Sequence, residues 1–564
     1  MIWIRIKSWH IVVLILLVFS FNLLVSGITY RFDMTSSGLY TLSERNSAII
    51  KENKKRIIAT LMMGNNIPAS FKKLRNETEF FLSGLHDVNN KIWYDVFDPN
   101  LGTISQVNAL RAFFKEKNIN PTNIRVSTND GVKETLIYPY VHIESGNQEI
   151  FVNILESKQS GETEEDAIFR SIQKLESKIT KGIYGISKEQ RADITLIAFG
   201  EYLPKKIYHL SSYLEAKYKS NISSPKDLYL KRDSIQVAVI PVSQNMDISK
   251  EDLLRIDQYI MSGGKILWLI EEYNITLDSI DTHSEFVPFY QALEVADLLF
   301  HNGVKLTGEW ASDLRSSRIP QVIGQQGGRA QTELFNYPFH PVSEGVKEHV
   351  ISSGLGEINM LYPTIIDTIF TTATIVKKPL VTTSEYSKRI KYPNIFSFEF
   401  LRKSPNVESF SDKEIMTAVL IQGKFDSYYK NRYSEIQIKE LKGKGINYKE
   451  KCSIASSQII ITDQDMIMPG ADRNGRLLPL GYNKWERAVF NDNEVFLNNA
   501  LEYLINGEQF LLPDERSEYK MASLDKKKVR DDGIFWVYFN LIVPMFPLLF
   551  LYFGYSFYLK RKYG

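Results

Sequence analysis

Two long apolar segments, one near each end of the chain, constrain its fold more than any other feature. They cover about residues 9–28 and 534–559 of the 564. Each approaches the roughly 20 apolar residues that a helix needs to cross a bilayer. The sequence therefore predicts two transmembrane helices, an N-terminal anchor over residues 1–28 and a C-terminal helix with a basic tail over residues 534–564. The polar body between them would lie on one side of the membrane.

Basic residues that flank these segments predict the orientation. Two precede the first segment, Arg5 and Lys7, and a basic tail at 560–562 follows the second. Since Lys and Arg are enriched in cytoplasmic flanks, we expect both termini in the cytoplasm and the body outside. The basic residues within 526–530 oppose this assignment. A cleaved signal peptide is the alternative for the first segment, although its apolar stretch is longer than a usual signal core.

Composition excludes several classes of protein. Hydrophobic residues make up 44% and aromatic residues 12% of the chain, which indicates folded domains between the anchors. The net charge of +2 provides no general basic field for nucleic acid. Cys452 is the only cysteine, so no disulfide can form within the chain.

Residues 29–186 predict a small α/β domain. Apolar or alternating runs at 56–63 and 91–98 are typical of strands, and a helical stretch at 69–89 separates them. The pair Gly146 and Asn147 predicts the turn of a hairpin. Mixed strands and helices in this order favour a sheet packed against helices.

Residues 187–509 predict a larger α/β domain with a parallel sheet. Apolar strands near 194–199, 235–241 and 265–270 alternate with helices, and the chain from about 277 to 451 reads as an irregular, partly β insertion. A charged linker at 510–533 follows. Ligands of such sheets bind beyond the carboxyl ends of the strands. The residues at or near those ends are the predicted cleft for a ligand or partner: Glu201, Ser243, Glu271 and Asp463.

The sequence contains no convincing catalytic motif. It has no P-loop, no His-Glu-x-x-His, no Cys-x-x-Cys and no Gly-x-Ser-x-Gly. His340 and His349 lie near acidic residues, but we interpret them as surface histidines rather than metal ligands. Asp463 and Asp465 end a strand, where they are either catalytic carboxylates or ordinary loop residues. We predict no catalytic residue, no metal and no cofactor.

Short motifs spread over nearly the whole chain match one known family in order and spacing. They lie at 31–35, 40–43, 95–99, 256–259, 263–265, 422–425, 459–463 and 493–504. With these motifs and both apolar segments, the chain resembles auxiliary proteins of bacterial ABC transport systems. More specifically, it resembles the GldG family of gliding-motility-associated ABC transporter substrate-binding proteins.

This resemblance implies an inner-membrane protein with a periplasmic body, which works with a separate permease and a cytoplasmic ATPase. It also implies that residues 29–186 are thioredoxin-like and that residues 187–509 are like class I glutamine amidotransferases. The amidotransferase fold needs a cysteine at a tight strand–helix turn, and Cys452 lacks the surrounding glycines. The larger domain is therefore expected to be catalytically inactive. The smaller one has no cysteine and so no redox role.

The leading hypothesis is a non-enzymatic, membrane-anchored auxiliary or substrate-binding subunit of an ABC transporter, linked to gliding motility or envelope secretion. Its solute is unknown. One alternative is a periplasmic hydrolase that uses Glu201, Asp463 or Asp465. The other alternative is a purely structural membrane scaffold without a solute pocket.

Overall fold

The computed structural model describes residues 42–508 and 533–563, with gaps. The gaps are at 66, 118, 129–130, 157–162, 188–190, 201–204, 245, 276–284, 327–328, 372–374, 399–400, 402–404, 473, 534, 536 and 544. The chain divides into two compact units, Met1–Arg516 and Ser517–Gly564.

The first part of the larger unit is built on a four-stranded mixed sheet of order β2-β1-β5-β6. Its strands are β1 (Ile57–Leu61), β2 (Ile92–Val96), β5 (Tyr140–Ser145) and β6 (Gln148–Asn153); a separate hairpin joins β3 (Thr122–Thr128) and β4 (Gly131–Ile137). The helices are α1 (Glu44–Glu52), α2 (Ala69–Val88), α3 (Ile104–Glu116), α4 (Glu164–Gln173) and α5 (Leu175–Ser187). Strands β1 and β2 are parallel because α2 forms the crossover between them.

Local sequence accounts for these elements. Thr103 and Thr163 cap α3 and α4 as capping boxes, each hydroxyl accepting from the third backbone N–H of its helix. Apolar residues alternate along β1, so Ile57, Ala59 and Leu61 are buried against α1, α2 and α5. The sequence predicts one amphipathic helix over 164–180, but this stretch contains two helices, since α4 ends at Gln173 and α5 begins at Leu175.

The second part of this unit is built on a sheet of ten strands within the described residues, of order β13-β14-β17-β20-β21-β10-β9-β7-β8, with β15 paired to β14. Its strands are β7 (Asp193–Ile197), β8 (Lys219–Ser223), β9 (Val237–Ser243), β10 (Ile266–Glu271), β13 (Ser316–Gln326), β14 (Arg329–Gly345), β15 (Ile358–Asn359), β17 (Ile375–Thr382), β20 (Met416–Gly423) and β21 (Ser456–Ile461). Strands β21, β10, β9, β7 and β8 run parallel. The insertion continues the sheet with antiparallel strands.

Helices cover both faces of this sheet. They are α6 (Lys205–Leu214), α7 (Pro225–Leu230), α8 (Lys250–Met261), α9 (Ala296–His301) and α11 (Asn491–Asn506), whereas α10 (Glu435–Gly443) packs beside α7 and α8. One apolar core joins α6 and α11 to one face, and another joins α8 and α9 to the opposite face. Neighbouring residues of β10 show the alternation: Leu267 belongs to the first core and Trp268 to the second. A sheet buried on both faces explains why its central strands are almost wholly apolar.

The remaining strands belong to the insertion and the segment after it. They are β11 (Glu285–Phe286), β12 (Val304–Asp313), β16 (Thr364–Thr368), β18 (Ser387–Ile390), β19 (Phe396–Ser397), β22 (Tyr482–Asn483) and β23 (Ala488–Val489). Strand β12 lies between β16 and β18 in a three-stranded sheet. An aromatic core that includes Tyr273, Trp310, Tyr337 and Phe396 stabilises this region.

The prediction of two transmembrane helices is wrong. Within the described residues, no helix is long and apolar enough to cross a membrane. The C-terminal unit contains α12 (Met545–Tyr563), which begins after Pro544 in the sequence and ends in Lys560, Arg561 and Lys562. Only 545–559 precede the basic residues, which falls short of the roughly 20 apolar residues required. The first predicted segment, 9–28, lies outside the described residues.

The predicted localisation depended on those helices and is corrected with them. A two-pass protein of the inner membrane, with both termini in the cytoplasm and the body in the periplasm, is not supported because the spanning helices are not found in the described chain.

Candidate functional site

The carboxyl ends of the parallel strands bring three of the four predicted cleft residues to one edge of the sheet. Ser243 ends β9 and pairs in register with Glu271, which ends β10. Asp463 follows β21 by two residues, and β21 is the other neighbour of β10. Glu201, the fourth predicted residue, lies outside the described residues. The parallel topology therefore produces a cluster of polar groups where ligands of such sheets bind.

Gln464 closes the space between the strand ends. Its side-chain amide donates to the carbonyl oxygens of Val242 at 2.9 Å and Leu269 at 3.0 Å. Its backbone N–H donates to Oε2 of Glu271 at 3.3 Å. These contacts connect the ends of β9, β10 and β21. The sequence interpretation named the aspartates on either side of Gln464 and missed the glutamine itself.

Asp463 is fully buried beside this glutamine. Its Oδ2 accepts from the backbone N–H of Leu361 at 2.6 Å, and its Oδ1 accepts from the backbone N–H of Asp465 at 2.8 Å. Burial raises the pKa of the Asp463 carboxyl well above its usual range, and the charge of Asp465 adds to the rise. The two N–H donors act in the opposite direction without cancelling it.

Three carboxylates share one ammonium at this edge. Lys206, on the first turn of α6, forms an ion pair with the exposed Asp465. The charges of Asp465, Glu271 and Asp463 outweigh the partial desolvation of Lys206, so the pKa of its ammonium is raised. Burial, followed by the charges of Asp463 and Asp465, raises the pKa of Glu271. The cluster can therefore hold protons at neutral pH and carries excess negative charge when it is ionised.

Residues of the insertion form hydrogen bonds with the chain at this same edge of the sheet. The side-chain amide of Gln244, directly after β9, donates at 2.8 Å to the carbonyl oxygens of both Glu272 and Phe289. The hydroxyl of Tyr273 donates to the carbonyl oxygen of Gly308 at 2.6 Å. Burial raises the pKa of Glu272 to about 7. The insertion thus bounds this edge of the sheet.

The structure corrects the interpretation of the two histidines as surface residues. His340 and His349 are buried, and burial lowers the pKa of each to about 4. Both are therefore neutral at physiological pH. No group of three or more His, Cys, Asp or Glu side chains in the described part of the chain is arranged to hold a metal ion.

Cys452 lies away from the carboxyl edge. It precedes β21, at the amino end of the strand, and its thiol donates to the carbonyl oxygen of Ile260 at 3.1 Å. Burial raises the pKa of the thiol to about 11. A thiol in this state is not a nucleophile at neutral pH.

The glycine-rich segment around Gly324 is part of the hairpin between β13 and β14, and residues 327–328 are outside the described residues.

Comparison with known proteins identifies a transport family. Residues 191–500 match the model of a family described as an ABC-type uncharacterized transport system. Residues 36–144 match a domain of unknown function. No curated protein matches the chain.

Solved structures show only weak similarity. A ThuA-like protein from Bacteroides uniformis ATCC 8492 aligns with 58% of this chain and 98% of its own, at 10% identity and a TM-score of 0.27. A catalytic mutant of the GH42 β-galactosidase Gan42B from G. stearothermophilus aligns with 54% of this chain, at 9% identity and a TM-score of 0.19. The chain spans about a third of that galactosidase, 32% of its length. Scores this low carry no argument about fold or activity.

Proposed function

This chain belongs to the ABC-type uncharacterized transport system family, and we propose that it is a non-enzymatic auxiliary subunit of such a transporter. In this proposal a separate permease and a separate ATPase supply the pathway and the energy. The sequence has no P-loop of its own, which fits that division. The chain would contribute recognition of a solute or of a partner subunit.

One observation carries the choice of a binding role over a catalytic role. The carboxylate best placed for chemistry, Asp463, is fully buried and held by the N–H groups of Leu361 and Asp465. A general acid or base must come within hydrogen-bond reach of its substrate. In this arrangement neither carboxylate oxygen of Asp463 is accessible to a substrate. The inert state of the Cys452 thiol supports the same choice.

The proposed recognition surface is the outer rim of this edge. It consists of Ser243, Glu271, Lys206 and Asp465, and Glu201 is proposed as a further member from its position in the sequence. Lys206 and Asp465 are exposed, and the ionised cluster has more negative than positive charge. A cationic group on the solute or partner would complement it.

The second candidate function is a carboxylate-dependent hydrolase. The observation that favours it is the pair Glu271 and Asp463: burial raises both pKa values, and a neighbouring charge adds to each rise, that of Asp463 for Glu271 and that of Asp465 for Asp463, as in many acid catalysts. Hydrolysis of chromogenic glycosides and esters by the wild type, lost in Asp463→Asn, would establish the enzyme. Equal background rates for both proteins would remove this candidate.

The finer assignment, to a transporter that supports gliding motility, rests on the resemblance to the GldG family. Deleting the gene in its own bacterium tests it. Loss of surface spreading, restored by the wild-type gene, is expected. Normal spreading by the deletion strain would leave the transporter role without the motility link.

Site-specific crosslinking tests the recognition surface. A photoreactive amino acid replaces Lys206 at the carboxyl edge or, as the matched control, Lys439 on α10. Both are exposed lysines on helices. We expect the Lys206 position, and not the Lys439 position, to crosslink to a permease or ATPase subunit in living cells. Crosslinks from the control alone would contradict the proposed surface.

A further inference from the structure

A second cavity lies at the opposite edge of the sheet, away from the carboxylate cluster. It is about 400 Å³ in volume and is bounded by α9, residues 369–371 after β16, the first residue of β17, and the chain after β20. The last residue of β20, Gly423, pairs with Ser456, the first residue of β21. The cavity therefore adjoins the amino end of β21, whereas the proposed recognition surface adjoins the carboxyl end. Its volume falls in the range of small-molecule sites.

Asn302 belongs to the lining of this cavity and carries an unused hydrogen-bond donor. It is only 2% exposed, and its side-chain nitrogen has no acceptor among the described residues. Asn302 follows α9 and precedes Gly303, whose backbone has a φ of +98° and packs against Lys377. A buried amide group without a hydrogen-bond partner destabilises the fold. A ligand oxygen that accepted its hydrogen bond would recover that lost stability.

Arg432 supplies an unpaired cation at the rim. Its guanidinium stacks on the ring of Tyr428 at 4.1 Å from the centroid, and both residues line the cavity. No carboxylate of the described chain lies within ion-pair distance of Arg432. The nearby Asp426 is engaged by Lys430 at 3.0 Å and by Lys451 at 3.8 Å. A guanidinium held on an aromatic face is well suited to bind a carboxylate.

Aromatic side chains form the apolar part of the wall. Phe425 is fully buried, whereas Phe300 and Phe370 are 52% and 95% exposed. An apolar ligand would remove these two exposed rings from water, which favours binding by the area covered. The cavity thus combines an apolar wall, an amide and the Arg432 cation, and the carboxylates of Asp297 and Asp426 also belong to its lining.

We infer that this cavity binds a small carboxylate with an apolar side chain and a neighbouring carbonyl. That chemistry is found in an N-acylated apolar amino acid and in the last residue of a short peptide. The carboxylate would pair with Arg432, the carbonyl oxygen would accept from Asn302, and the side chain would pack against Phe300 and Phe370. This site is separate from the carboxyl edge and does not depend on the function proposed for it.

Titration of the full chain with N-acetyl-phenylalanine, followed by calorimetry or ligand-observed NMR, tests the inference. N-acetyl-phenylalaninamide has the same shape without the carboxylate charge. We expect the acid to bind and the amide to bind at least about tenfold more weakly, as for the loss of one charge-assisted hydrogen bond. The peptide Gly-Gly-Phe distinguishes the sources, since tighter binding than the acetylated acid indicates a peptide ligand.

Two variants locate the binding. Asn302→Leu removes the donor, and Arg432→Gln removes the exposed cation without touching the core. Each is expected to weaken binding of the acid at least about tenfold. The matched control is Arg232→Gln, because Arg232 also stacks on a tyrosine, Tyr229, at 4.6 Å, outside this cavity. If Asn302→Leu fails to fold, Arg432→Gln still decides. Absence of binding, equal binding of acid and amide, or unchanged binding by Arg432→Gln would overturn the inference.

Discussion

The backbone N–H of Leu361 donates a 2.6 Å hydrogen bond to Oδ2 of Asp463. Leu361 belongs to the insertion and Asp463 follows a central strand of the sheet. The insertion therefore holds the carboxylate that the bare parallel sheet would present to a ligand. In our proposal this contact favours a recognition role over a catalytic one, and it bears on how the Asp463 carboxyl should respond to pH and mutation.

Replacing Asp463 should change how stability depends on pH. A carboxyl whose folded pKa is raised stabilises the fold while it is protonated, and this contribution is lost as pH rises from about 4 through the raised pKa. Asp463→Asn cannot ionise, so its melting temperature should fall less than that of the wild type between acidic and alkaline pH. Asp233→Asn, at an exposed position, is the control. Parallel melting curves for wild type and Asp463→Asn would contradict the buried, proton-holding state.

Glu272 should also make stability depend on pH, and here the change in unfolding free energy can be estimated. Burial raises its pKa from 4.5 to about 7. The protonated form is favoured in the fold, so up to about 3 kcal/mol of unfolding free energy is lost as pH rises from about 4.5 through 7. Glu272→Gln should therefore gain stability relative to the wild type at alkaline pH. Urea unfolding at several pH values measures this gain, and a wild type that is more stable than the variant at alkaline pH would refute it.

Glu156 is expected to be essential for stability in the first part of the chain. Lys178 lies 2.5 Å and Lys174 3.1 Å from its oxygens, and Lys174 is 8% exposed. Burial alone would raise the pKa of Glu156, but these ammonium groups lower it well below its usual range. Glu156→Gln removes the negative charge that these two ammonium groups share and should cost about 3 kcal/mol.

The pH dependence at Glu156 has the opposite sign to that at Glu272. Its stabilising effect is present above about pH 4.5 and is lost as pH falls. Thermal melts of Glu156→Gln and the exposed control Glu116→Gln, at neutral and acidic pH, measure both effects. A Glu156→Gln protein as stable as its control at neutral pH would show that the ammonium groups find other partners.

Two glycines of the insertion provide a packing test. A Cβ on Gly345, the last residue of β14, would lie 2.0 Å from the carbonyl oxygen of Ser352, whereas a Cβ on Gly356 would meet nothing within 4 Å. Gly345→Ala must displace backbone and should cost about 2 kcal/mol or more. Gly356→Ala should fold with nearly wild-type stability. Calorimetry compares the melting temperatures of the two variants. Equal values would show that the backbone over 345–356 can move to admit the extra Cβ at little cost in stability.

The sequence predicted the central strands and helices of the larger sheet because their signals are local. Between the apolar strands, the sequence predicts helices over about 206–219 and 250–261. Helix α8 occupies 250–261, and its end is followed by Gly263 at a φ of +87°. The helix expected over 206–219 ends instead at Leu214, since Lys219–Ser223 forms the edge strand β8. That strand is too polar to show an apolar pattern. Pairing with β7, a contact between distant residues, is what orders it.

The candidate site was predictable only in part. Parallel pairing follows from the order of elements, so Ser243, Glu271 and Asp463 could be placed at one edge. Gln464 connects the strand ends through hydrogen bonds to the carbonyl groups of Val242 and Leu269, some 200 positions earlier in the chain. No local sequence pattern predicts such distant contacts. The same reason hid the burial of His340 and the contact from Leu361, since both arise from how the insertion packs.

Quantitative mass spectrometry of what copurifies with the full-length chain from gently solubilised cells tests the central claim most directly. A transporter subunit predicts recovery of a permease and a P-loop ATPase in fixed proportion to the chain, with the recovery reduced by Asp465→Lys, which removes negative charge from the proposed surface. A chain that is recovered alone, at the same yield and from the same cells, would contradict its proposed role as a transporter subunit.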